Sequence, residues 1–392
     1  MISRRHALAG LLGPSLLRPA HADVPVLQVV IDLRSEIAAG RFDPQRDRIG
    51  IRGAHPPLSW SRTWPADETG QAGLYRTRIA FERPPFGDQP VAYKFKIERP
   101  GAPGGEGWEP GPNHRVRLAP GARVERAWAA VPEPLPARRT GRFDRFAMAD
   151  GTTTPPRGIQ VWLPPAYGEE PSRRHPLLVM HDGQNLFDDT AAGSEWQLDE
   201  TAERLVRAGQ IAPPLIVGIE SKAQRIHDYT PWPGRLRSDG PAAAVGGGGP
   251  AYADWIARVL LPELERRYPV EPGPQRRFVG GSSLGGLLSM WMLLHQPGQW
   301  GGALVVSPSV WWADEALLGD IGSRPAGPPP RLWLDIGLQE GESAVAGARR
   351  LHRRLLAQGW PHRHTEAPDG GHDEVSWAAR GEAMLRFLFE GN

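Results

Sequence analysis

The seven residues Gly280-Gly281-Ser282-Ser283-Leu284-Gly285-Gly286 constrain this chain more than any other stretch. Arg276 to Val279 before them reads as a short strand, and the apolar run from Leu284 to His295 after them is long enough for a buried helix. A serine flanked by glycines two residues before and two after, on a strand-to-helix bend, is the pattern that presents a nucleophilic hydroxyl at the edge of an α/β sheet. Gly281 and Gly285 then have a steric reason, because at so sharp a bend a Cβ would strike the neighbouring strand or helix. Ser283 has the required spacing and Ser282 does not. In a chain with 47 glycines the alternative is a glycine-rich loop that merely contains serines, and the flanking strand and helix argue against it.

A serine hydroxyl needs a base to take its proton, and the base needs a carboxylate to orient it. Downstream, Asp369-Gly370-Gly371-His372-Asp373-Glu374 is a glycine-bearing loop that leads into the helical pattern Val375 to Phe389, which makes His372 the candidate base. His352 among arginines on a helix face, and His362 and His364 alternating along a strand, read as surface histidines. Arg331 to Gly337 reads as a strand, and Glu340 lies in the loop beyond its carboxyl end, where functional groups of open α/β sheets collect. Glu340 is the candidate acid, with Asp335, still inside the strand, as its competitor.

These residues resemble the esterase family that includes enterochelin esterase, feruloyl esterase domains, S-formylglutathione hydrolase and the mycolyl transferases. The resemblance covers roughly residues 141 to 392. His181-Asp182-Gly183-Gln184-Asn185-Leu186-Phe187-Asp188 is similar to the family's DGQNLF segment, Tyr229-Thr230-Pro231 to its tyrosine and proline loop, and Gly337-Leu338-Gln339-Glu340 to its glycine-to-acid turn. Gly371-His372-Asp373 resembles its histidine turn. Glu340 stands where many members carry aspartate. The amide after the nucleophile, that of Leu284, points to where a tetrahedral oxygen develops, and the resemblance implies the backbone of Gln184 as the second oxyanion donor.

At 392 residues the chain exceeds a usual single core, so a domain boundary is expected. Residues 1–22, with Arg4-Arg5, an apolar stretch and Ala20-His21-Ala22, read as a twin-arginine export signal, which predicts a periplasmic or secreted protein. Residues 24–131 alternate in short segments such as Val26 to Leu33, Tyr75 to Phe81 and Val91 to Ile97, and predict a small all-β sandwich. Residues 132–141 are a proline-rich linker. From 142 to 392, strands at Gly158 to Leu163, Leu177 to Met180 and Leu215 to Ile219 alternate with helices at Leu198 to Ala208 and Tyr252 to Tyr268. That pattern predicts an α/β-hydrolase fold with a mostly parallel central sheet. The absence of cysteine removes disulfides, thiol catalysis and thiolate metal sites, a net charge of +2 gives no argument for nucleic acid, and no apolar run reaches 18 residues.

The N-terminal segment resembles starch-binding domains at Gly40 to Pro44, Tyr93 to Lys96 and Trp108 to His114. The resemblance implies that Trp60 and Trp108 stack on sugar rings while Lys94 and Asn113 supply hydrogen bonds; His114 stands where that pattern usually has arginine. Core or interface packing is the competing role for the two tryptophans. Trp232, Arg225, Arg235 and Arg237 are read as parts of one long loop. The reading that follows is an exported serine esterase working through an acyl-enzyme, with no metal or organic cofactor. Its substrate is a siderophore ester or an acyl ester on a carbohydrate, and a polysaccharide is a partner through the N-terminal segment. Two alternatives stay open: an acyltransferase, and a carbohydrate-binding protein with an idle hydrolase scaffold.

Overall fold

In the computed structural model the described residues are 24–53, 55–60, 62–82, 90–101, 107–110, 113–119, 121–130, 139–149, 156–187, 195–221, 223–235, 244–324 and 326–390. The export signal at 1–22 and most of the linker lie outside them. The N-terminal segment contains β1 (Val26–Asp32), α1 (Arg34–Ala38), β2 (Arg48–Gly53), β3 (Trp64–Pro65), β4 (Asp67–Glu68), β5 (Leu74–Ala80), β6 (Val91–Glu98), β7 (His114–Val116) and β8 (Arg123–Ala127). They make two four-stranded sheets, in orders β4-β5-β1-β8 and β3-β2-β6-β7. Period-two alternation directs Leu27, Val29 and Ile31 of one sheet and Ile49, Ile51, Phe95 and Ile97 of the other into a shared core, as the sequence predicts.

The remaining elements are β9 (Arg142–Met148), β10 (Arg157–Leu163), β11 (Leu177–His181), α2 (Leu198–Arg207), β12 (Leu215–Ile219), α3 (Arg225–Tyr229), β13 (Pro233–Gly234), β14 (Val245–Gly246), α4 (Gly249–Trp255), α5 (Leu261–Arg267), β15 (Arg277–Ser282), α6 (Leu284–His295), β16 (Gly302–Val306), α7 (Ala316–Asp320), β17 (Arg331–Gly337), α8 (Glu342–Ala357), β18 (Arg363–Ala367) and α9 (Glu374–Phe389). Eight of these strands form one sheet in the order β18-β17-β16-β15-β11-β12-β10-β9. From β12 to β18 every pairing is parallel, and β10 and β9 join antiparallel at the other edge. Buried on both faces, β12 is an uninterrupted apolar run, and β11 is one as far as His181. Leu177 and Val179 face the core shared with α4, α5 and α6, whereas Leu178 and Met180 face the core shared with α2 and α9.

Two elements differ from the sequence prediction. The helix expected over Tyr252 to Tyr268 is interrupted by a π-helical turn at Ile256–Leu260. Pro262, the second residue of α5, has no N–H to donate to the preceding turn, and the wider turn accommodates that loss. The loop expected from Arg225 onward is the short helix α3 followed by the β13–β14 hairpin, while 236–243, with Arg237, fall outside the described residues. The hairpin rests on Trp312, whose indole N–H donates to the Trp232 carbonyl at 2.8 Å.

Candidate active site

Ser283 sits at the junction of β15 and α6 with φ 59° and ψ −121°, a conformation that non-glycine residues rarely adopt. Its N–H donates to Val306 O at 3.0 Å, and its carbonyl accepts from Leu287 N at 3.0 Å and from Ser309 N at 3.1 Å. The strained backbone is therefore tied to β16, to the first turn of α6 and to the loop after β16. A Cβ on Gly281 would meet the backbone of Gly285 at 3.0 Å, and one on Gly285 would meet His181 Cβ at 3.2 Å, which is the steric reason for both glycines. The Ser283 hydroxyl lies 3.2 Å from Ser309 Oγ. Leu284 opens α6, so its N–H has no intrahelical acceptor and is free to meet a ligand oxygen.

The carboxylate and the imidazole come from the loops after β17 and β18. Glu340 Oε1 accepts from Gly337 N at 2.8 Å, and Oε2 lies 2.7 Å from His372 Nδ1. That contact makes Nδ1–H the donor and leaves Nε2 free to accept a proton. Asp373 caps α9 by accepting from Ser376 N at 2.8 Å, and Ser376 Oγ accepts from Gly371 N at 2.8 Å, so His372 is held between a capped helix and a glycine turn. The Glu340 side chain is buried and that of His372 is half-exposed. Asp335, the competing acid, instead meets Arg380 and the Trp333 indole N–H, and burial pushes its pKa up despite the nearby guanidinium. Of the two acids, Glu340 is the one bonded to His372.

The segment after β11 closes the other side. Asp182 takes φ 55°, and Gly183 packs so closely on β12 that a Cβ would meet Gly218 C at 2.4 Å. Arg225 clasps the Asp182 carboxylate through Nε at 2.8 Å and Nη2 at 2.6 Å, and the Tyr229 hydroxyl accepts from Asp182 N at 2.9 Å. Gln184 is anchored through its side chain, which accepts from Ser221 N at 2.9 Å and donates to Ser221 Oγ at 3.0 Å. Asp182, Gln184, Asn185, Arg225, Ser283 and His372 line one cleft of about 520 Å³. Beneath it His181 is fully buried, and desolvation lowers its pKa to about 4, so it is neutral at pH 7.

Spacing gave no sign of Ser309, Arg225 as a partner of Asp182, or the anchoring role of Ser221. The three downstream histidines set aside as surface residues are half-buried and gather together, with His352 Nδ1 2.8 Å from His362 Nε2 and the His352 and His364 rings stacked at 4.3 Å. In the N-terminal sheets, Trp60 and Trp108 come together with centroids 6.2 Å apart, but their planes are tilted by 50° and do not make one flat platform. Arg52 and Lys96, which the sequence reading passed over, approach the Trp108 ring at 5.1 and 5.5 Å. Lys94 lies opposite Arg52 in the β2–β6 register, and Asn113 is exposed.

Among the described residues, Glu195, Asp199 and Glu200 bring carboxylate oxygens within 4.8 Å of one another, as metal ligands would. Asp199 is fully buried, and desolvation and Glu200 together hold its pKa well above the usual carboxylate range. That rise favours a proton held between Asp199 and Glu200, and Thr140 N donates to Asp199 Oδ2 at 2.8 Å. A carboxyl with a raised folded pKa costs stability above its ordinary pKa and nothing below it. Asp199→Asn is accordingly expected to raise Tm at pH 8 by about 2–4 °C, or ~1 kcal/mol, with the gain vanishing toward pH 4. Thermal scans at the two pH values check this.

A family model described as "Putative esterase" matches residues 151–388, which is more than half of the chain. The chain belongs to this family. Among its relatives, "Uncharacterized protein YbbA" of Bacillus subtilis is 31% identical over 50% of this chain and 74% of its own. "Iron(III) enterobactin esterase" of Dickeya dadantii is 28% identical over 70% of this chain, which spans 61% of that enzyme's length. The crystal structure of the enterobactin esterase FES from Shigella flexneri in the presence of enterobactin has a TM-score of 0.58 at 19% identity, covering 88% of this chain and 90% of its own. That share is larger than the region from β9 onward, so the likeness of fold extends into the N-terminal sheets. No helix among the described residues is long and apolar enough to cross a membrane.

Proposed function

We propose that this family member hydrolyses carboxylic esters of a siderophore, with Ser283 as nucleophile, His372 as base and Glu340 as the acid that orients it. The observation that carries this reading is one cleft that holds a serine in strained backbone and an imidazole whose Nδ1 is engaged by a buried carboxylate. In the proposed cycle the Ser283 hydroxyl turns from Ser309 toward His372 Nε2, which takes its proton as Oγ attacks the ester carbonyl. The amides of Leu284 and Gln184 receive the oxyanion, and Glu340 stabilises the imidazolium. His372 then protonates the departing alcohol, and a water activated by the same ring releases the acid.

The substrate class is supported by relatives named as esterases of iron(III) enterobactin, iron(III) salmochelin and triacetylfusarinine C. It is also supported by the lining of the cleft, where Arg225, Gln184 and Asn185 stand beside the Trp377 ring. Export through residues 1–22 is part of the proposal. Sugar binding by the N-terminal sheets has the exposure of Trp60 in its favour and is an additional reading. A fluorophosphonate probe is expected to label the wild type and not Ser283→Ala. An enterobactin-type trilactone is expected to be cleaved with kcat/KM at least ~10² above acetylated xylan or feruloyl sugars, the scale of a few lost polar contacts. Folded protein that resists labelling would favour the idle scaffold, and the reverse substrate order would replace the siderophore with a glycan ester.

A further inference from the structure

Glu340 occupies its position through contacts on both carboxylate oxygens. Oε2 serves His372, while Oε1 accepts from Gly337 N at 2.8 Å and from Ser307 Oγ at 2.5 Å. Glutamate has one more rotatable bond than aspartate, so a carboxylate reaching back from this turn depends on such anchors to stay in register with the imidazole.

Ser307 has one proton and two lone pairs. The Trp377 indole N–H reaches its oxygen at 3.0 Å and Arg380 Nη2 reaches it at 3.2 Å, and neither group is able to accept. Both lone pairs are therefore taken, and the single proton has Glu340 as its acceptor. Donor counting alone therefore has Arg380 donating to Ser307 and Ser307 to Glu340, on which His372 Nδ1–H converges from the other side.

Arg380 is 9% exposed and reaches into the site from α9. Its Nε and Nη2 meet the two oxygens of Asp335 at 3.1 and 3.3 Å, which compensates the buried cation. Its Nη1 lies so near the histidine loop that a Cβ on Gly370 would meet it at 2.6 Å, and the Gly370 carbonyl accepts from Gln339 N at 2.9 Å. One guanidinium thus touches the end of β16, the strand β17 and the loop that carries His372. Ser307 itself is held at φ 44°, with its N–H donating to Asp335 O at 3.0 Å. A non-glycine residue there costs on the order of 1–3 kcal/mol and persists where its surroundings demand it.

Resting on the ester-hydrolase reading above, we propose that Ser307 and Arg380 are positioning residues that fix the Glu340 carboxylate, and through it His372, for proton transfer. Neither residue is proposed to touch substrate. Their loss is therefore expected to appear in kcat and not in KM, because misplacing an oriented group by about 1 Å costs roughly 10² in rate.

The test uses the full chain with p-nitrophenyl acetate and a fluorophosphonate probe. A wild type that neither turns over the ester nor takes the label would overturn the parent reading. Given an active wild type, Ser307→Gly, which deletes the hydroxyl and relieves the positive φ, is expected to lower kcat and the labelling rate about 10–100-fold with KM within about 3-fold. Arg380→Lys, which keeps the charge and loses the fork, is expected to retain more activity than Arg380→Met. The inference is overturned if Ser307→Gly or Arg380→Met, folded by its thermal transition, keeps kcat and labelling within about 3-fold of wild type, or if lysine and methionine at 380 behave alike. A variant that fails to fold leaves the decision to those that do, and unfolding of all three overturns the positioning role in favour of a purely structural one.

Discussion

Ser283→Ala is expected to lower kcat for p-nitrophenyl acetate by about 10⁶, and His372→Ala by a similar factor, with the double variant no slower than either. In the proposed cycle the nucleophile and its base act as one unit: alanine at 283 leaves a base with no proton to take, and alanine at 372 leaves a hydroxyl that hardly ionises. What is expected to survive is binding and the proposed oxyanion donors, the amides of Leu284 and Gln184. Ser283 is locked by backbone bonds to Val306, Leu287 and Ser309 rather than by its hydroxyl, so the alanine variant is expected to keep the wild-type Tm within about 2 °C. Progress curves at high enzyme concentration beside thermal scans measure both. A folded Ser283→Ala protein with more than about 1% of wild-type kcat would remove Ser283 from the nucleophile role.

Much of the frame was legible because it rests on period and steric punctuation. The strand Arg331–Gly337 and the helix Leu284–His295 have the bounds that the apolar runs predict, since both elements are buried and their ends coincide with glycines or a polar residue. Gly281 and Gly285 were readable because the steric demand of the bend is local. Ser307 and Arg380 were not: they are 73 positions apart, and a lone serine before a proline or an arginine inside an apolar helix carries no periodic signal. The anchoring of Gln184 by Ser221 depends on β11 and β12 lying side by side, which spacing alone does not reveal. The π-helical turn escaped for a related reason: Pro262 marks a break in the hydrogen-bond ladder, but whether the helix ends there or widens is decided by packing of Ile256 and Leu260 against the sheet. The preference for Glu340 over Asp335, five residues earlier, rested on its place beyond the strand's end, whereas the buried partners of Asp335, Arg380 and the Trp333 indole, left no mark in spacing.

That geometry makes the two carboxylates separable by experiment. Glu340→Gln is expected to lower kcat about 10⁴-fold with little change in Tm. The amide still fits between Gly337 and Ser307, but it no longer provides the charge that favours Nδ1–H on His372. The ring then shifts toward the tautomer with its proton on Nε2, which is unable to accept from Ser283. Asp335→Asn has the opposite signature. It leaves the Arg380 guanidinium buried without a counter-charge, a loss of about 3–5 kcal/mol for a broken buried pair. At roughly 2–4 °C per kcal/mol, Tm is expected to fall by about 10 °C. Below that transition its kcat is expected to drop by no more than about 10², because Asp335 reaches His372 only indirectly, by way of Arg380 and Ser307 and then Glu340. Paired measurements of kcat and Tm on the two variants decide the assignment. A folded Asp335→Asn protein that loses about 10⁴ in kcat, beside a Glu340→Gln protein that loses little, would transfer the acid's role to the strand residue.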